Sequence, residues 1–336
     1  MDASILGSLI ANSKQMECTS LINDHILGIS DISVSPFNEY KATSACFDKT
    51  LTEYDINKSK RINNLTGHEE GIWTCDYSPS QDGLIASGGN DNLVKLWDLK
   101  TQRCIETLKN HDRAIYDVQF STDGKLVGSC SKEMICIFDM ANLSQPLEVL
   151  EVPNKNPKNG FIYCLNFTED NNSIVTGFID GTIFAHRIGT GIDEDIKFRL
   201  LPNYIESWKD EDEYSKCVYS LDKFHHDDTK LMLSHSDGSV RIYEMDLESR
   251  KMKLKDQFYY FTSPVTSSDD KSIIACGKDR SCQIWDIDTH KEIRYTLSGH
   301  TGIISACRFV KNGKNDIVIT GSYDNTIRIW DLKKAK

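Results

Sequence analysis

The sequence predicts an all-β protein: a seven-bladed β-propeller of four-stranded antiparallel blades, with the ring closed by an N-terminal strand. One unit recurs along nearly the whole chain. Within each unit, short apolar or alternating runs are bounded by turn-forming clusters, which is typical of strands. No segment keeps the apolar period of 3.6 that a helix would show. We therefore expect one domain over residues 1–336.

The repeat is clearest in two segments. Residues 65–98 read LTGHEEGIWTCDYSPSQDGLIASGGNDNLVKLWD, and residues 297–331 read LSGHTGIISACRFVKNGKNDIVITGSYDNTIRIWD. Weaker copies occupy residues 108–139 and 273–286. One large side chain near the end of each unit marks the period: Tyr54, Trp97, Phe138, His186, Tyr243, Trp285 and Trp330. These positions are 41 to 57 residues apart, which is close to the length of a four-stranded propeller blade.

Each unit contains the same succession of elements. The runs IWTCDY, LIASG and LVKLW predict short strands, and the clusters SPSQDG and NDN predict the turns between them. A single blade cannot bury both of its faces. Seven blades packed around an axis cover one another and leave only short sheet edges, so the repeat number favours a closed ring.

The pieces LTGH, LSGH, KLWD, IWDID and RIWD resemble the WD-repeat family. The resemblance is strongest in units two and seven and faintest in units four and five. In that family a His, a Ser or Thr, a turn Asp and a Trp form a hydrogen-bonded group inside each blade. The resemblance implies one such group in unit two and one in unit seven: His68, Ser87, Asp91 and Trp97, and His300, Thr320, Asp324 and Trp330.

Two other units depart from this group. Unit one has His25, Ser44 and Asp48, with a tyrosine at the Trp position. Unit three keeps His111, but Lys132 stands where the Asp belongs, so we expect its group to be broken. A His beside a Ser and an Asp resembles a hydrolytic triad. Because the set recurs in several units, we interpret it as structural, since buried polar groups must satisfy one another. We predict no catalytic residue and no enzyme activity.

The end of the chain suggests how the ring closes. Only DLKKAK follows Trp330, so unit seven lacks the outer strand found in the earlier units. An uncovered sheet edge would invite unwanted pairing. We predict that residues 16–22 pair with the last blade and close the ring.

The longest departure from the period is an insertion at residues 188–217, between blades four and five. It contains two acidic clusters, Asp193 to Asp195 and Asp210 to Glu213, near apolar residues that include Trp208. Loops in a regular array vary readily and often bind partners. Two interpretations stay open, a solvated connection and an acidic docking loop.

A second candidate surface is one rim of the ring. The resemblance implies that residues before and within the first strand of a unit, and the residue before the turn Asp, face the central opening. Many of these positions are aromatic: Phe47, Trp73, Tyr116, Phe161, Tyr163 and Tyr323. Ile179 and Ile303 occupy two more. Aromatic side chains are common energetic centres of interfaces, so we predict a protein-binding rim. The alternative is that some of them point into neighbouring blades.

Amino-acid composition limits the classes of partner and the cellular location that we expect for this protein. Among 336 residues, 39 Lys and Arg against 50 Asp and Glu leave a net charge of −11, which argues against a surface that follows nucleic-acid phosphates. No apolar run has the length of a membrane span. The eleven cysteines show no CxxC pair, so we expect free thiols in a reducing compartment, without metal or cofactor. The cytoplasm is the expected location, and the nucleus is a second one.

The predicted function is a non-catalytic scaffold, a subunit of a larger assembly that binds protein partners through the rim and the acidic insertion. One alternative is a reader of basic peptides such as histone tails, which needs an acidic residue in the central opening. Another is an RNA- or ribosome-associated propeller similar to the receptor for activated C kinase, which needs a basic face. The compact basic groups are small: Lys58, Lys60 and Arg61, and Lys333, Lys334 and Lys336.

Overall fold

The computed structural model describes residues 13–151, 161–179, 181, 183–189, 196–198, 218–224, 226–227, 229–236, 238–246, 251–259, 261–277, 279–287, 293–310 and 317–334. These residues form seven sheets, each with four antiparallel strands as predicted. The sixth sheet has a fifth strand, Lys14–Met16, which is parallel to its neighbour. The first strand of each sheet contacts the first strand of the next sheet, and the seventh contacts the first. The seven sheets are therefore the blades of a closed propeller, and their first strands line its central opening.

Within each blade the strands lie side by side in order from the opening outwards. Blade one comprises Ile29–Val34, Lys41–Cys46, Thr50–Asp55 and Lys60–Thr66. Blade two comprises Ile72–Tyr77, Leu84–Gly89, Val94–Asp98 and Arg103–Leu108. Blade three comprises Ile115–Phe120, Leu126–Ser131, Met134–Asp139 and Glu148–Glu151. Blade four comprises Ile162–Phe167, Ser173–Phe178, Ile183–Arg187 and Ile196–Phe198.

The other three blades follow the same order, with one exception at the last outer strand. Blade five comprises Val218–Lys223, Lys230–His235, Ser239–Asp246 and Lys251–Tyr259. Blade six comprises Phe261–Thr266, Ser272–Gly277, Ser281–Asp286 and Ile293–Ser298. Blade seven comprises Ile304–Phe309, Ile317–Ser322, Ile327–Asp331 and, from the N-terminal segment, Ser20–Ile22. A short 3-10 helix, Leu332–Lys334, follows. Over the described ranges, no helix has the length and hydropathy needed to cross a membrane.

The hydrophobic core is divided among the blade interfaces. Seven buried clusters lie between successive blades, one at each interface. Trp97 of blade two, for example, belongs to the same cluster as Leu51 of blade one. Each blade thus depends on its neighbours for burial of its apolar faces, as expected for a repeat architecture.

Close packing between blades constrains the second strands. A Cβ built on Gly88 would lie 2.5 Å from Ile115 Cγ2, and one on Gly321 would lie 2.7 Å from Ile29 Cγ2. The fifth residue of the second strand is small in every blade: Ala45, Gly88, Cys130, Gly177, Ser234, Cys276 and Gly321. The first strand of the next blade approaches too closely here for a larger side chain.

The N-terminal segment spans two blades. Ser20–Ile22 lies antiparallel to Ile327–Ile329 and supplies the fourth strand of blade seven. Met16 differs from the expectation for residues 16–22, because it belongs to the strand Lys14–Met16, which pairs in parallel with the outer strand of blade six. The Met16 side chain is buried in the cluster between blades six and seven. Burial of Met16 accounts for the pairing of Lys14–Met16 with blade six, before the chain continues into the fourth strand of blade seven.

Part of the expected insertion belongs to a blade. Ile196–Phe198 pairs with Ile183–Ala185 as the outer strand of blade four. This part of the expected insertion is therefore a blade strand, since backbone pairing rather than sequence similarity defines the strand. The two acidic clusters, Asp193 to Asp195 and Asp210 to Glu213, and Trp208 lie outside the described residues.

Candidate functional site

Blade two contains a hydrogen-bonded group that links its second and third strands, the turn between them and the segment before its first strand. The two ring nitrogens of His68 lie 2.7 Å from Asp91 Oδ2 and 2.7 Å from Ser87 Oγ. The indole N–H of Trp97 donates to Ser87 Oγ at 2.8 Å. The four side chains therefore satisfy one another beneath the surface, which suits a structural role.

Blade seven repeats this geometry. His300 lies 2.9 Å from Asp324 Oδ2 and 2.8 Å from Thr320 Oγ1, and Trp330 Nε1 donates to Thr320 at 2.9 Å. Burial alone would raise the pKa of Asp324. Hydrogen bonds from Thr326, the Thr301 backbone and His300 outweigh that effect and hold the pKa of Asp324 below its ordinary value.

Blade one has a variant of the group with a cysteine beside it. His25 lies 2.8 Å from Asp48 Oδ2 and 2.7 Å from Ser44 Oγ, and Cys46 Sγ completes a set of possible metal-ligand atoms within 4.8 Å of one another. Burial raises the pKa of the Cys46 thiol to about 12. Both histidine nitrogens already have partners. A thiolate is needed for metal binding, so this chemistry favours a hydrogen-bonded group over a metal site.

The group in blade three is altered rather than broken. His111 lies 2.9 Å from Ser131 Oγ and 2.7 Å from Ser129 Oγ. The second ladder of this blade ends at the pair Cys130–Ile135, five residues apart, whereas that of blade one ends at Ala45–Leu51, six apart. The turn is one residue shorter, so Ser131 takes the place of the aspartate and Lys132 is released from the group.

At the end of the ring where the first strands begin, seven aromatic side chains form a continuous series, which we call the aromatic arc. Its members are Tyr323, Phe47, Trp73, Tyr116, Tyr163, Phe161 and Tyr219. Ring centroids are 5.8 Å apart for Tyr323 and Phe47, 4.8 Å for Phe47 and Trp73, and 5.9 Å for Trp73 and Tyr116. Tyr163 lies 5.3 Å from Tyr116, 6.4 Å from Phe161 and 5.7 Å from Tyr219.

The local sequence explains how the arc is built. In blades two to five the second residue of the first strand is aromatic: Trp73, Tyr116, Tyr163 and Tyr219. Blades one and seven have serines there, whose hydroxyls donate to the neighbouring blade. Phe47 and Tyr323 reach the arc instead from turns, and each ring lies against a glycine of the next blade, Gly71 and Gly28 respectively. The glycines leave the space that these two rings occupy.

The arc is accessible at this end of the ring. Tyr219 and Tyr323 are each 44% exposed, and the other five side chains are half-buried against one another. The Trp73 indole N–H donates to Asn90 Oδ1 at 2.7 Å, which fixes the orientation of that ring. The six rim aromatics expected from the sequence thus lie together and contact one another, and two of them, Phe47 and Tyr323, also pack against the next blade.

Below the arc, carboxylates face the central opening from the first strands. Asp31, Asp76 and Asp117 each accept a backbone N–H from the next blade, at 3.2, 2.8 and 2.9 Å. Asp222 accepts the Thr266 N–H at 3.0 Å. Arg308 pairs with Asp31 at 3.1 Å. These bonds connect adjacent blades around the opening.

The surroundings of these carboxylates change their proton affinity. Burial raises the pKa of Asp76 to about 7, with the charge of Asp117 adding to the effect against the lowering influence of the Phe120 N–H. Burial likewise raises the pKa of Asp117 to about 6. It also raises that of Asp31, although Arg308 opposes the change. The opening is therefore lined by closely spaced acidic groups that repel one another when ionised.

Comparison with known proteins agrees with this architecture. The family model described as "WD domain, G-beta repeat" matches residues 59–98, 102–139, 260–286 and 291–331. These four segments are similar to WD repeats. The matched segments lie in blades one to three, six and seven. The repeat is thus most recognisable where the structure also places the complete hydrogen-bonded group of blade two and that of blade seven.

Several WD-repeat relatives are complex subunits by name. Over 115 residues the chain is 31% identical to eukaryotic translation initiation factor 3 subunit I of Pyricularia oryzae, covering 34% of this chain and 33% of that protein. It is 23% identical over 341 residues to the WD repeat-containing protein 91 homolog of Dictyostelium discoideum, covering 98% of this chain and 41% of that protein. It is 23% identical to target of rapamycin complex subunit LST8 of Saccharomyces cerevisiae, covering 65% and 81%. The chain spans less than half the length of the first two relatives.

The sequence analysis missed one member of the aromatic arc. Tyr219 is the second residue of VYSLDK, which aligns with IWTCDY and IYDVQF at the position of Trp73 and Tyr116. Comparing the first strands position by position would have found it. Blade five diverges most from the repeat, which obscured the alignment.

The small basic groups of the sequence are partly paired within the WD-repeat ring. Lys58 Nζ lies 2.9 Å from Asp55, and Lys334 Nζ lies 3.5 Å from Asp331. These contacts reduce the local positive charge that an RNA-binding face would require.

Proposed function

We propose that this WD-repeat propeller is a non-catalytic scaffold that binds protein partners through the aromatic arc as a subunit of a larger assembly. The arc carries the proposal, because seven contiguous, partly exposed rings at one end of the ring are more than isolated surface residues. Tyrosine and tryptophan are enriched among the residues that dominate binding energy at interfaces.

The architecture supports a preorganised surface. Four arc rings project from first strands that are each hydrogen-bonded to the second strand of their blade. Phe47 and Tyr323 sit on turns that are tied by backbone bonds to the residue before the first strand of their own blade. The Phe47 N–H donates to Gly28 O at 3.1 Å, and the Tyr323 N–H donates to Ile303 O at 2.9 Å. A surface that is ordered before binding loses less conformational entropy when a partner docks.

The non-catalytic assignment rests on the repetition of the polar groups. His68, His300 and His25 have equivalent partners in three blades, as expected for groups that stabilise each blade.

Membership of a complex is supported by relatives whose names include subunits of initiation factor 3 and of the target of rapamycin complex. Free thiols at the described cysteines suit a reducing location such as cytoplasm or nucleus. The acidic insertion is proposed as a second contact.

Crosslinking mass spectrometry from native extract tests the scaffold proposal. We expect Trp73→Ala and Tyr323→Ala to reduce crosslinked partners. A matched control is Phe37→Ala, since Phe37 is 48% exposed on the loop at the opposite end of blade one. Unchanged partners in both arc variants, with crosslinks that avoid the arc, would reject it as the binding surface. Loss of partners only after deletion of residues 199–214, which leaves the blade-four strand Ile196–Phe198 in place, would assign binding to the insertion instead.

A further inference from the structure

We infer that the occupant of the aromatic arc is a protein segment that presents a cationic side chain, lysine or arginine, to the rings. This inference rests on the proposed function and specifies the chemistry of the partner. It follows from a cation already seated on the arc and from the charge that lines the opening below it.

The first observation is an internal cation on one arc ring. The Lys132 ammonium lies 4.6 Å from the centroid of Phe161. A cation within about 6 Å of a ring centroid is attracted by the negative potential of the ring face. Lys132 reaches this ring because the shortened turn of blade three removes it from the histidine group, where the other turns carry an aspartate. The rings of the arc therefore accept an ammonium group in this structure.

The second observation is the position of acidic groups next to the rings. Asp31 and Asp117 converge on Thr74, whose hydroxyl lies 3.4 Å from Asp31 Oδ2 and 3.2 Å from Asp117 Oδ1. Thr74 directly follows Trp73, and Asp117 directly follows Tyr116. Carboxylates from blades one and three thus meet one residue below two adjacent rings of the arc.

The charge around the opening is unbalanced. The described first strands carry Asp31, Asp76, Asp117 and Asp222. Lys223, on the first strand of blade five, pairs with Glu169 at 2.9 Å. Arg308 is the cation that contacts this group, through Asp31. A partner's lysine or arginine would add the missing positive charge, whereas an acidic or nucleic-acid segment would add to the repulsion.

Nuclear magnetic resonance of the full chain labelled with ¹⁵N-tryptophan tests the inference. The indole N–H of Trp73 reports on the arc, and those of Trp97 and Trp330, buried inside blades, report on folding. The probes are acetylated, amidated pentapeptides with arginine, lysine, citrulline or glutamate at the centre of four glycines. We expect saturable shifts of the Trp73 signal with the arginine and lysine peptides. Citrulline has the shape of arginine without its charge, so we expect about tenfold weaker binding.

Variants distinguish a specific cation site from general attraction to an acidic protein. Tyr116→Leu is expected to lose most of the binding, and Tyr116→Phe, which retains the ring face, to keep it. Asp117→Asn is expected to weaken binding severalfold, since the amide oxygen still accepts the Leu165 N–H but carries no charge. Tyr40→Leu, at the opposite end of the ring, is the control and is expected to change nothing.

Several results would overturn the inference. They are equal binding of the citrulline and arginine peptides, retention of binding in Tyr116→Leu with unchanged Trp97 and Trp330 signals, and no saturable shift with either cationic peptide. Shifts caused instead by the glutamate peptide or by a twelve-residue oligouridylate would also overturn it. The scaffold proposal fails separately, when partners from native extract are unaffected by the arc variants.

Discussion

Asp76 in blade two accepts a hydrogen bond from the backbone N–H of Phe120 in blade three, with 2.8 Å between oxygen and nitrogen. Asp31, Asp117 and Asp222 make the same contact across three other blade boundaries. The bond satisfies a backbone donor at a place where the strands of two different sheets meet. These carboxylates therefore stabilise the ring as well as lining its opening.

Two substitutions at Asp76 distinguish the contribution of its hydrogen bond to stability from that of its charge. Asp76→Ala leaves the Phe120 N–H without its acceptor and is expected to lower the free energy of unfolding by about 1–3 kcal/mol. Asp76→Asn keeps an acceptor oxygen and is expected to cost less. Chemical denaturation monitored by tryptophan fluorescence measures both. Equal losses in the two variants would contradict a role for the bond.

The raised pKa of Asp76 also predicts a pH dependence. With a folded pKa of about 7 against about 3.9 unfolded, the folded protein binds the proton more tightly between these values. Its contribution to stability is therefore largest below about pH 4 and declines as the pH rises through 7. Asp76→Asn should lose less stability between pH 5 and pH 8 than the unmodified protein. Parallel pH profiles would show that this carboxyl does not control the difference.

The carboxyls in the hydrogen-bonded groups of blades two and seven should give stability a pH dependence of the opposite sign. Asp91→Ala and Asp324→Ala are each expected to destabilise the protein by about 1–3 kcal/mol, because buried partners lose their hydrogen bonds. Hydrogen bonds outweigh burial and lower the pKa of both carboxyls, so their contribution is present above about pH 4 and is lost on further acidification.

Thermal melting at pH 7 and at about pH 2.5, below the ordinary carboxyl pKa, measures these contributions. The control is Asp82→Ala, which removes a 2.9 Å ion pair with Lys100 whose two side chains are largely exposed, for an expected cost of about 0–1 kcal/mol. Unchanged melting temperatures in the Asp91 and Asp324 variants would contradict a structural role for these hydrogen-bonded groups.

A truncation series tests closure by the N-terminal segment. Deleting residues 1–17 removes the strand Lys14–Met16 and the buried Met16 side chain, with an expected cost of about 2–5 kcal/mol. Deleting residues 1–22 also removes Ser20–Ile22, lowers the melting temperature further and exposes the edge of Ile327–Asp331. Deletion of residues 1–12 is the reference. Light scattering should detect self-association of the longest truncation, and identical melting of all three would contradict closure.

Substitution at the fifth residue of a second strand tests the close approach of the blades. In Gly321→Ala, the new methyl group would lie 2.7 Å from Ile29 and 2.8 Å from Ile32, so we expect a loss of about 1–3 kcal/mol through overpacking. Ala45→Gly at the equivalent place in blade one should cost no more than about 1 kcal/mol. Denaturant midpoints compare the two, and a neutral Gly321→Ala variant would argue that the interface relaxes freely.

The local sequence pattern was sufficient to predict the blades and much of the candidate site. Strand runs and turn clusters repeat with the period of a four-stranded sheet, and residues such as His68, Asp91 and Trp97 keep fixed places in that period. The rim positions of Trp73 and Tyr116 follow from the same alternation. Where the repeat diverges, as around Tyr219 and Ile196–Phe198, the pattern no longer aligns the residues.

The repeat number, the fold class and the chemistry available at each blade position follow from the order of the amino acids. Tertiary structure alone decided that seven rings form one arc, that Ser131 replaces the aspartate beside His111, and that Met16 pairs with blade six. It also decided that Asp31 and Asp117 meet at Thr74. The reason is physical: periodicity specifies which face of a strand a side chain occupies, whereas contacts between residues far apart in the chain depend on how seven blades pack around one opening.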